Sequence, residues 1–466
     1  MILPVFLWSD LLIYTLIASV GLFLWQLRKN PQAKKRWSGV FASKVGMASF
    51  IVILFYILIS LLDSLHYREP LPQLNGVEQQ EVAYSSEVKS VLDIVLSPLH
   101  SSNESTYSAP FALHSFAKEN MTDTNGAIYR DFPRLKNAGS HLTDVRERSW
   151  DILWRSVLAI LLGILIAAVP IAAHKYYRNK IAQGTADHSG SDAVPWNVAY
   201  STVLIISVIG CWVLSLSEFY HILGTDKVGS DVLYQSIKAI RTGVLIGTLA
   251  TLVTLPLAII LGISAGYFKG WVDDVVQYTY TTLSSIPGIL LIAASVLLID
   301  VYIETHAEQF NLTTLRSDFK FLALCAILGL TSWTGLCRML RAETLKVSQL
   351  DYVQAAHAFG VSHRRVIGKH ILPNVTHLIL IAIVLDFSMF VLAEAVLSYI
   401  GVGVDPDMHS WGNMINAARS ELSRDPVVWW SVSAAFILMF TLVLAANLFS
   451  DEVRNAFDPN TAKGDS

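Results

Sequence analysis

Residues 351–373 read DYVQAAHAFGVSHRRVIGKHILP, a polar and basic stretch with strongly apolar runs on both sides. Asp351 is positioned to cap a short helix carrying Tyr352, Val353, Ala355, Ala356 and Phe359. Gly360 ends that helix, because glycine accepts the left-handed turn that other residues resist. Ser362 can cap a second helix bearing Arg364, Arg365 and Lys369, and Pro373 opens the next apolar run. The small residues Ala355, Ala356 and Gly360 leave a face that another protein's backbone can approach closely. A compact basic loop of this kind between membrane spans suits a docking element for a cytoplasmic partner. The same residues also fit a DNA-binding helix-turn-helix, with 360–362 as the turn and Arg364 and Arg365 facing a groove. That motif sits in soluble domains of several helices, whereas only short polar margins separate this one from apolar sequence.

Composition favours the membrane. Of 466 residues, 53% are hydrophobic and 15% charged, against roughly a quarter charged in soluble domains. A net charge of −3 argues against a nucleic-acid partner. Cys211, Cys325 and Cys337 lie in or beside apolar runs and form neither a disulfide framework nor a CxxC site. About nine segments approach the roughly 20 apolar residues a bilayer crossing needs: 6–27, 45–65, 152–173, 198–216, 244–267, 286–301, 321–340, 378–400 and 427–449. The sixth is the shortest. Backbone satisfaction in lipid makes all of them helices, so the fold class is an all-α polytopic membrane protein.

Orientation follows from charge. Arg28, Lys29, Lys34, Lys35 and Arg36 follow the first run and should stay cytoplasmic, which puts the N-terminus outside. The 67–149 segment is then external. It carries formal glycosylation acceptors at Asn103 and Asn120, and Tyr107, Phe111, Phe116, Tyr129 and Phe132 suggest a small folded cap. Histidines 66, 100, 114 and 141, within it or at its edge, have no metal-ligand spacing. The third run descends to Lys175, Arg178 and Lys180, and a Gly/Ser/Asp-rich linker at 183–192 joins it to the fourth. Counting onward, the 351–373 loop with its arginines and lysines falls inside, as does Ser466.

The stretch QAAHAFGVSHRRVIGKHILP resembles the EAA-type loop of ABC importer permeases, which seats in a cleft of the ATPase subunit. The match lies at Ala355, Ala356, Gly360, Ile367, His370, Leu372 and Pro373. It departs at Gln354, where the family carries glutamate, so one charged contact is not carried over. HILGTDKVGSDVL at 221–233, GYFKGWVD at 266–273, SWGNM at 410–414 and DEVRNAFDP at 451–459 resemble segments of dipeptide and oligopeptide importer permeases, in the family's order. Ser230 stands where the family commonly has arginine. The resemblance covers about half the chain. It implies a type I importer permease core at 197–459, preceded by a transmembrane hairpin at 1–65, an external insertion at 66–150, and a third span with linker at 151–196. A short tail follows at 460–466.

The resemblance also implies function and partners. The chain would be one permease subunit of an ATP-driven importer of peptides or similar solutes in a bacterial inner membrane. Its partners would be separate ATPase subunits, a second permease and an extracytoplasmic solute-binding protein, and it would work by alternating access. No cofactor or metal is implied. The 224–229 stretch has the glycine spacing of a phosphate loop, but Ser230 and Asp231 occupy the Lys and Ser/Thr positions, so it cannot clamp a nucleotide. His357, His363 and His370 lack an acid or cysteine to complete a metal site. A self-sufficient secondary transporter or channel stays open as an alternative, with Asp386 as its only coupling seed, as does a membrane-anchored DNA-binding regulator.

Two acids stand out in the eighth run. Residues 378–397 hold thirteen Leu, Ile, Val or Phe residues, worth roughly 4–8 kcal/mol of insertion free energy. Each mid-helix carboxylate costs roughly 2.5–3.5 kcal/mol, so Asp386 and Glu394 should face protein or water. Eight residues apart, they lie within about 80° of each other around the helix. A pore-facing role stands beside helix packing for both, and beside an interfacial position for Glu394.

Overall fold

The computed structural model describes residues 3–29, 31–70, 84–85, 88–122, 128–142, 144–184, 194–310 and 313–457. The 185–192 part of the linker and the 460–466 tail lie outside the described residues. In chain order the elements are β1 (Leu3–Val5), α1 (Trp8–Lys29), α2 (Pro31–Ala42), α3 (Lys44–Asp63), β2 (His66–Arg68), β3 (Lys89–Ser90), α4 (Val91–Val95) and α5 (Ser97–His100). Then come β4 (Glu119–Thr122), β5 (Ile128–Asp131), α6 (Arg148–Gly184), α7 (Trp196–Ser217), α8 (Val232–Phe268), α9 (Gly270–Ser285) and α10 (Gly288–Thr305). The chain closes with α11 (Thr313–Val347), α12 (Asp351–Ala358), α13 (His363–Val366), α14 (Leu372–Ile400), α15 (Trp411–Ala418) and α16 (Trp430–Phe457).

The apolar runs are the long helices. Among the described residues, eight helices are long and apolar enough to cross a membrane, including the short sixth run as α10. The first run forms α1, whose described apolar stretch is Trp8–Ala18. The fold class is therefore all-α and polytopic.

The chain divides into two compact units, neither continuous in sequence. The first comprises Met1–Phe6, Phe41–Thr242 and His409–Leu442. Here β1, β2 and β3 form an antiparallel sheet in that order, and β4 pairs with β5 as a hairpin. The segment between α3 and α6 is folded, but its core is mainly leucine. Leu92, Leu96, Leu99, Leu113 and Leu142 bury against Leu216, Tyr220, Ile222 and Leu233, while Tyr129 and Phe132 stay exposed.

The second unit comprises Leu7–Val40, Gly243–Met408 and Val443–Ser466. Its α8 and α11 approach closely, and glycines make room. A Cβ at Gly262 would sit 2.8 Å from the Cys337 carbonyl oxygen, one at Gly266 2.7 Å from that of Arg341, and one at Gly329 2.5 Å from Val253 Cβ. Gly262 and Gly266 form the small-xxx-small spacing that lets membrane helices meet backbone to backbone. At its end, α14 closes on Gly401 at φ +89°, with Val402 N donating to the Leu397 carbonyl at 2.9 Å, a left-handed stop of the Schellman type.

Candidate functional site

The 351–373 stretch folds as two helices around a glycine turn. Gly360 has φ +70°, and Val361 N donates to the Ala356 carbonyl at 3.1 Å, so the glycine is required by backbone conformation. Two details differ from expectation. Leu350, not Asp351, occupies the cap position of α12, and Asp351 is its first helical residue. An acid there still meets the positive end of the helix dipole. Ser362 does occupy the cap of α13 but makes no side-chain cap hydrogen bond.

The second helix does not stop. It runs from α13 through a π turn at Ile367–Ile371 into α14, giving one apolar-cored helix from His363 to Ile400. The basic end of the loop and the eighth apolar run are thus one rod.

Val353, Ala356, Val366 and Ile371 point into a core shared with Tyr267, Val276, Leu340 and Val347. The Tyr267 hydroxyl lies 2.9 Å from His363 Nδ1, and its ring stacks on His357 with centroids 5.4 Å apart. The Asn374 amide donates to the Tyr352 hydroxyl at 2.9 Å, and His370 packs on Tyr352. Each of the three histidines makes a ring contact with Tyr267 or Tyr352. In the same unit Arg341 grips Asp273 with two hydrogen bonds, one of 2.6 Å from Nη2, and these hold the Asp273 carboxyl below its ordinary range.

The opposite face is free. Gln354, Ala355, Gly360, Arg364, Arg365, Lys369 and Pro373 are exposed, and Ile367, His370 and Leu372 are half-buried. Of the three small residues, Ala355 and Gly360 lie on this face, whereas Ala356 turns inward at 9% exposure. At its apex stands Phe359, 87% exposed. The sequence places Phe359 on the helix without marking a role for it; the available signal is an aromatic next to the glycine stop, off the Val353–Ala356 packing face.

Asp386 and Glu394 part company. Glu394 is 2% exposed and accepts a 2.8 Å hydrogen bond from Ser398 Oγ. Asp386 is half-buried and lines a groove of about 660 Å³ with Ser284, Thr331, Thr334, Leu385 and Met389. It is the only charged residue of that lining.

In the first unit, the 221–233 motif receives the segment between α3 and α6. His221 Nδ1 lies 2.7 Å from Asp231 Oδ2, and its Nε2 lies 3.5 Å from Glu104 Oε1. Glu104 also accepts from the backbone N–H of Lys136 and Asn137, at 2.9 and 2.8 Å. Burial alone would lower the His221 pKa, but the two carboxylates outweigh it and push it up to about 9. Gly224 and Gly229, at φ +68° and +83°, let this backbone touch the segment: a Cβ would lie 2.3 Å from the Ser108 carbonyl oxygen and 2.0 Å from that of Glu104. Close approach of two backbones, not phosphate, accounts for their spacing. A second clamp joins Lys238 to Asp63 at 2.6 Å and Asp93 at 2.9 Å. Burial works against ionisation of Asp93, yet Lys238 and the Ser90 N–H bring its pKa down to about 2.

The structure is that of a polytopic helical membrane protein with a structured basic loop fused to a membrane span. Residues 258–463 match the family described as binding-protein-dependent transport system inner membrane component. The chain is 31% identical over 242 residues to an oligopeptide transport system permease protein of Haemophilus influenzae, covering 52% of this chain and 71% of that one. It is 30% identical over 239 residues to a glutathione transport system permease protein of Pectobacterium atrosepticum, covering 51% and 72%. A dipeptide transport system permease protein of Lactococcus lactis is 29% identical over 243 residues, covering 52% and 65%. The chain belongs to this family, the multi-pass inner-membrane permeases of ABC importers.

Proposed function

We propose that the chain is one permease subunit of an ATP-driven importer of peptides, working by alternating access with a second permease, separate ATPase subunits and an extracytoplasmic binding protein. The names of its relatives, which transport oligopeptides, dipeptides and glutathione, support the solute class. The observation that carries the coupling reading is the 351–373 element: one face is locked into the core, and the other offers Gln354, Ala355, Gly360 and the 87% exposed Phe359. An ATPase cleft that takes this face would push on a helix continuous with the membrane span. Residues 197–459 then form the transport core, and residues 1–196 an accessory part. The N-terminus and the 66–150 insertion lie outside, the loop and Ser466 inside, in line with the basic residues of the loop.

Phe359→Asp tests it. Full burial of a phenylalanine is worth about 1.5–3 kcal/mol, so its loss should weaken ATPase association by roughly ten- to a hundredfold. Membrane abundance should stay normal, while the co-purifying ATPase and peptide uptake are lost. Retention of both in that variant excludes the exposed face as the coupling surface.

A further inference from the structure

Three helix ends outside the family-matched residues meet in the first unit: the start of α3, the end of α6 and the start of α7. Between them runs an open apolar groove of about 500 Å³, lined among others by Phe41, Met47, Phe50, Trp196, Tyr200 and Val203. Its rim is aromatic and cationic. The His174 ring lies 4.4 Å from that of Trp196, and its Nδ1 is 2.8 Å from the Tyr200 hydroxyl. Lys175 Nζ stands 5.1 Å from the centre of the Tyr200 ring. Lys44 precedes Met47 by three positions and Ile51 by seven, so helical periodicity puts it on the groove side of α3. Arg178 follows His174 by four, on one face of α6.

Residues 44–62, 152–184 and 194–217 contain no Asp or Glu. These helices thus bring cations to the groove mouth and no acid of their own within those ranges, and the linker's Asp187 and Asp192 lie outside the described residues. Such a site suits a molecule with an apolar chain and an anionic head. A free phosphate would leave the groove unfilled, and a polar peptide would leave its own amides unsatisfied there. Trp and Tyr beside basic residues mark the depth at which lipid headgroups sit, and basic pockets between membrane helices are headgroup sites. We propose that the α3–α6–α7 groove binds an anionic phospholipid, one acyl chain in the groove and the phosphate among Lys44, Lys175 and Arg178.

The test uses the full chain with the subunits that purify with it, so that lipid binding is read independently of transport. Phosphatidylglycerol and phosphatidylcholine with the same chains are titrated in detergent, and bound lipid is counted by native mass spectrometry. Phosphatidylglycerol should bind more tightly. Combined Lys44→Gln, Lys175→Gln and Arg178→Gln should erode that preference roughly fivefold per charge removed and leave phosphatidylcholine binding unchanged. Ala199→Trp, which fills the groove from α7, should abolish both, with helix content checked by circular dichroism. Equal binding of the two lipids by the unaltered protein overturns the proposal, as does an unchanged preference in the triple variant. Loss of a protein subunit, with lipid retained, in Ala199→Trp would assign the groove to a partner helix instead.

Discussion

Raising the pH from 6 to 9.5 should release the Glu104 end of the inserted segment from the 221–231 turn. His221 is 2% exposed and lies between Asp231 and Glu104. Its pKa rises from 6.5 to about 9 on folding. A raised pKa means the folded state holds the proton more tightly, so the stabilisation is fully present below pH 6.5 and disappears as pH climbs through about 9. The 2.5-unit difference corresponds to about 3 kcal/mol. Between those limits each pH unit should raise the opening constant about tenfold. Glu104 moves the other way, its pKa lowered despite burial by His221 and three backbone N–H groups, so its own loss of stabilisation comes only in acid, outside this window. A reporter is at hand in Ser108, which is fully buried beneath Thr225. In a cysteine-free background, Ser108→Cys should react with an impermeant thiol reagent at a rate limited by local opening. Normalising to the exposed Ser101→Cys removes the pH dependence that thiol ionisation itself gives the labelling. The normalised rate should be flat below pH 6.5 and climb by two to three orders of magnitude by pH 9.5. His221→Asn, which leaves two buried carboxylates facing no cation, should label fast at every pH. A flat profile in the parent, or the same slope in His221→Asn, would refute the reasoning.

Other outcomes follow from single contacts. Gly360→Leu meets open space but must hold φ +70°, a strain of roughly 1–2 kcal/mol; it should keep membrane abundance yet lose the ATPase in co-purification, whereas Gln354→Glu should be tolerated. Asp386→Leu removes an insertion cost of roughly 2.5–3.5 kcal/mol, so the protein should insert and retain its partners, and peptide uptake should fall if the 660 Å³ groove is on the solute path; unchanged uptake kinetics would make Asp386 structural. Gly266→Leu sets a side chain against the Arg341 backbone and Thr344; it should destabilise by about 1–3 kcal/mol or more and lower the thermal midpoint in detergent, and an unchanged midpoint would contradict the close α8–α11 contact.

The long helices were legible because lipid leaves the backbone one solution, and apolar length is read directly from residues. Gly360 was legible for a local reason too, since a left-handed stop depends on one residue. Less legible were features that depend on what lies across a gap. The 224–229 glycines mimic a phosphate loop because both needs are the same, a backbone bare enough to be touched, and only the Glu104 and Ser108 carbonyls tell them apart. Ala356 read as part of a small outward face, yet an alanine carries no polarity to declare its side, and Val353 and Val366 draw it inward. Gly262 and Gly266 carried a packing signal in plain spacing that the apolar run around them masked. Asp386 and Glu394 have the same chemistry and lie about 80° apart around one helix; Ser398, one turn beyond Glu394, donates a hydrogen bond to it.

The unbroken helix from His363 to Ile400 has a mechanical consequence. Thirty-eight residues make a strut of about 57 Å, long enough to span a bilayer with a protruding handle. Its axial hydrogen bonds resist shortening, so a push or a tilt at one end is carried to the other. Tilting it by about 5° about one end displaces the other by about 5 Å, close to one helical pitch. The π turn at Ile367–Ile371 lies where handle meets strut, and single π turns inside α-helices are frequent at functional sites.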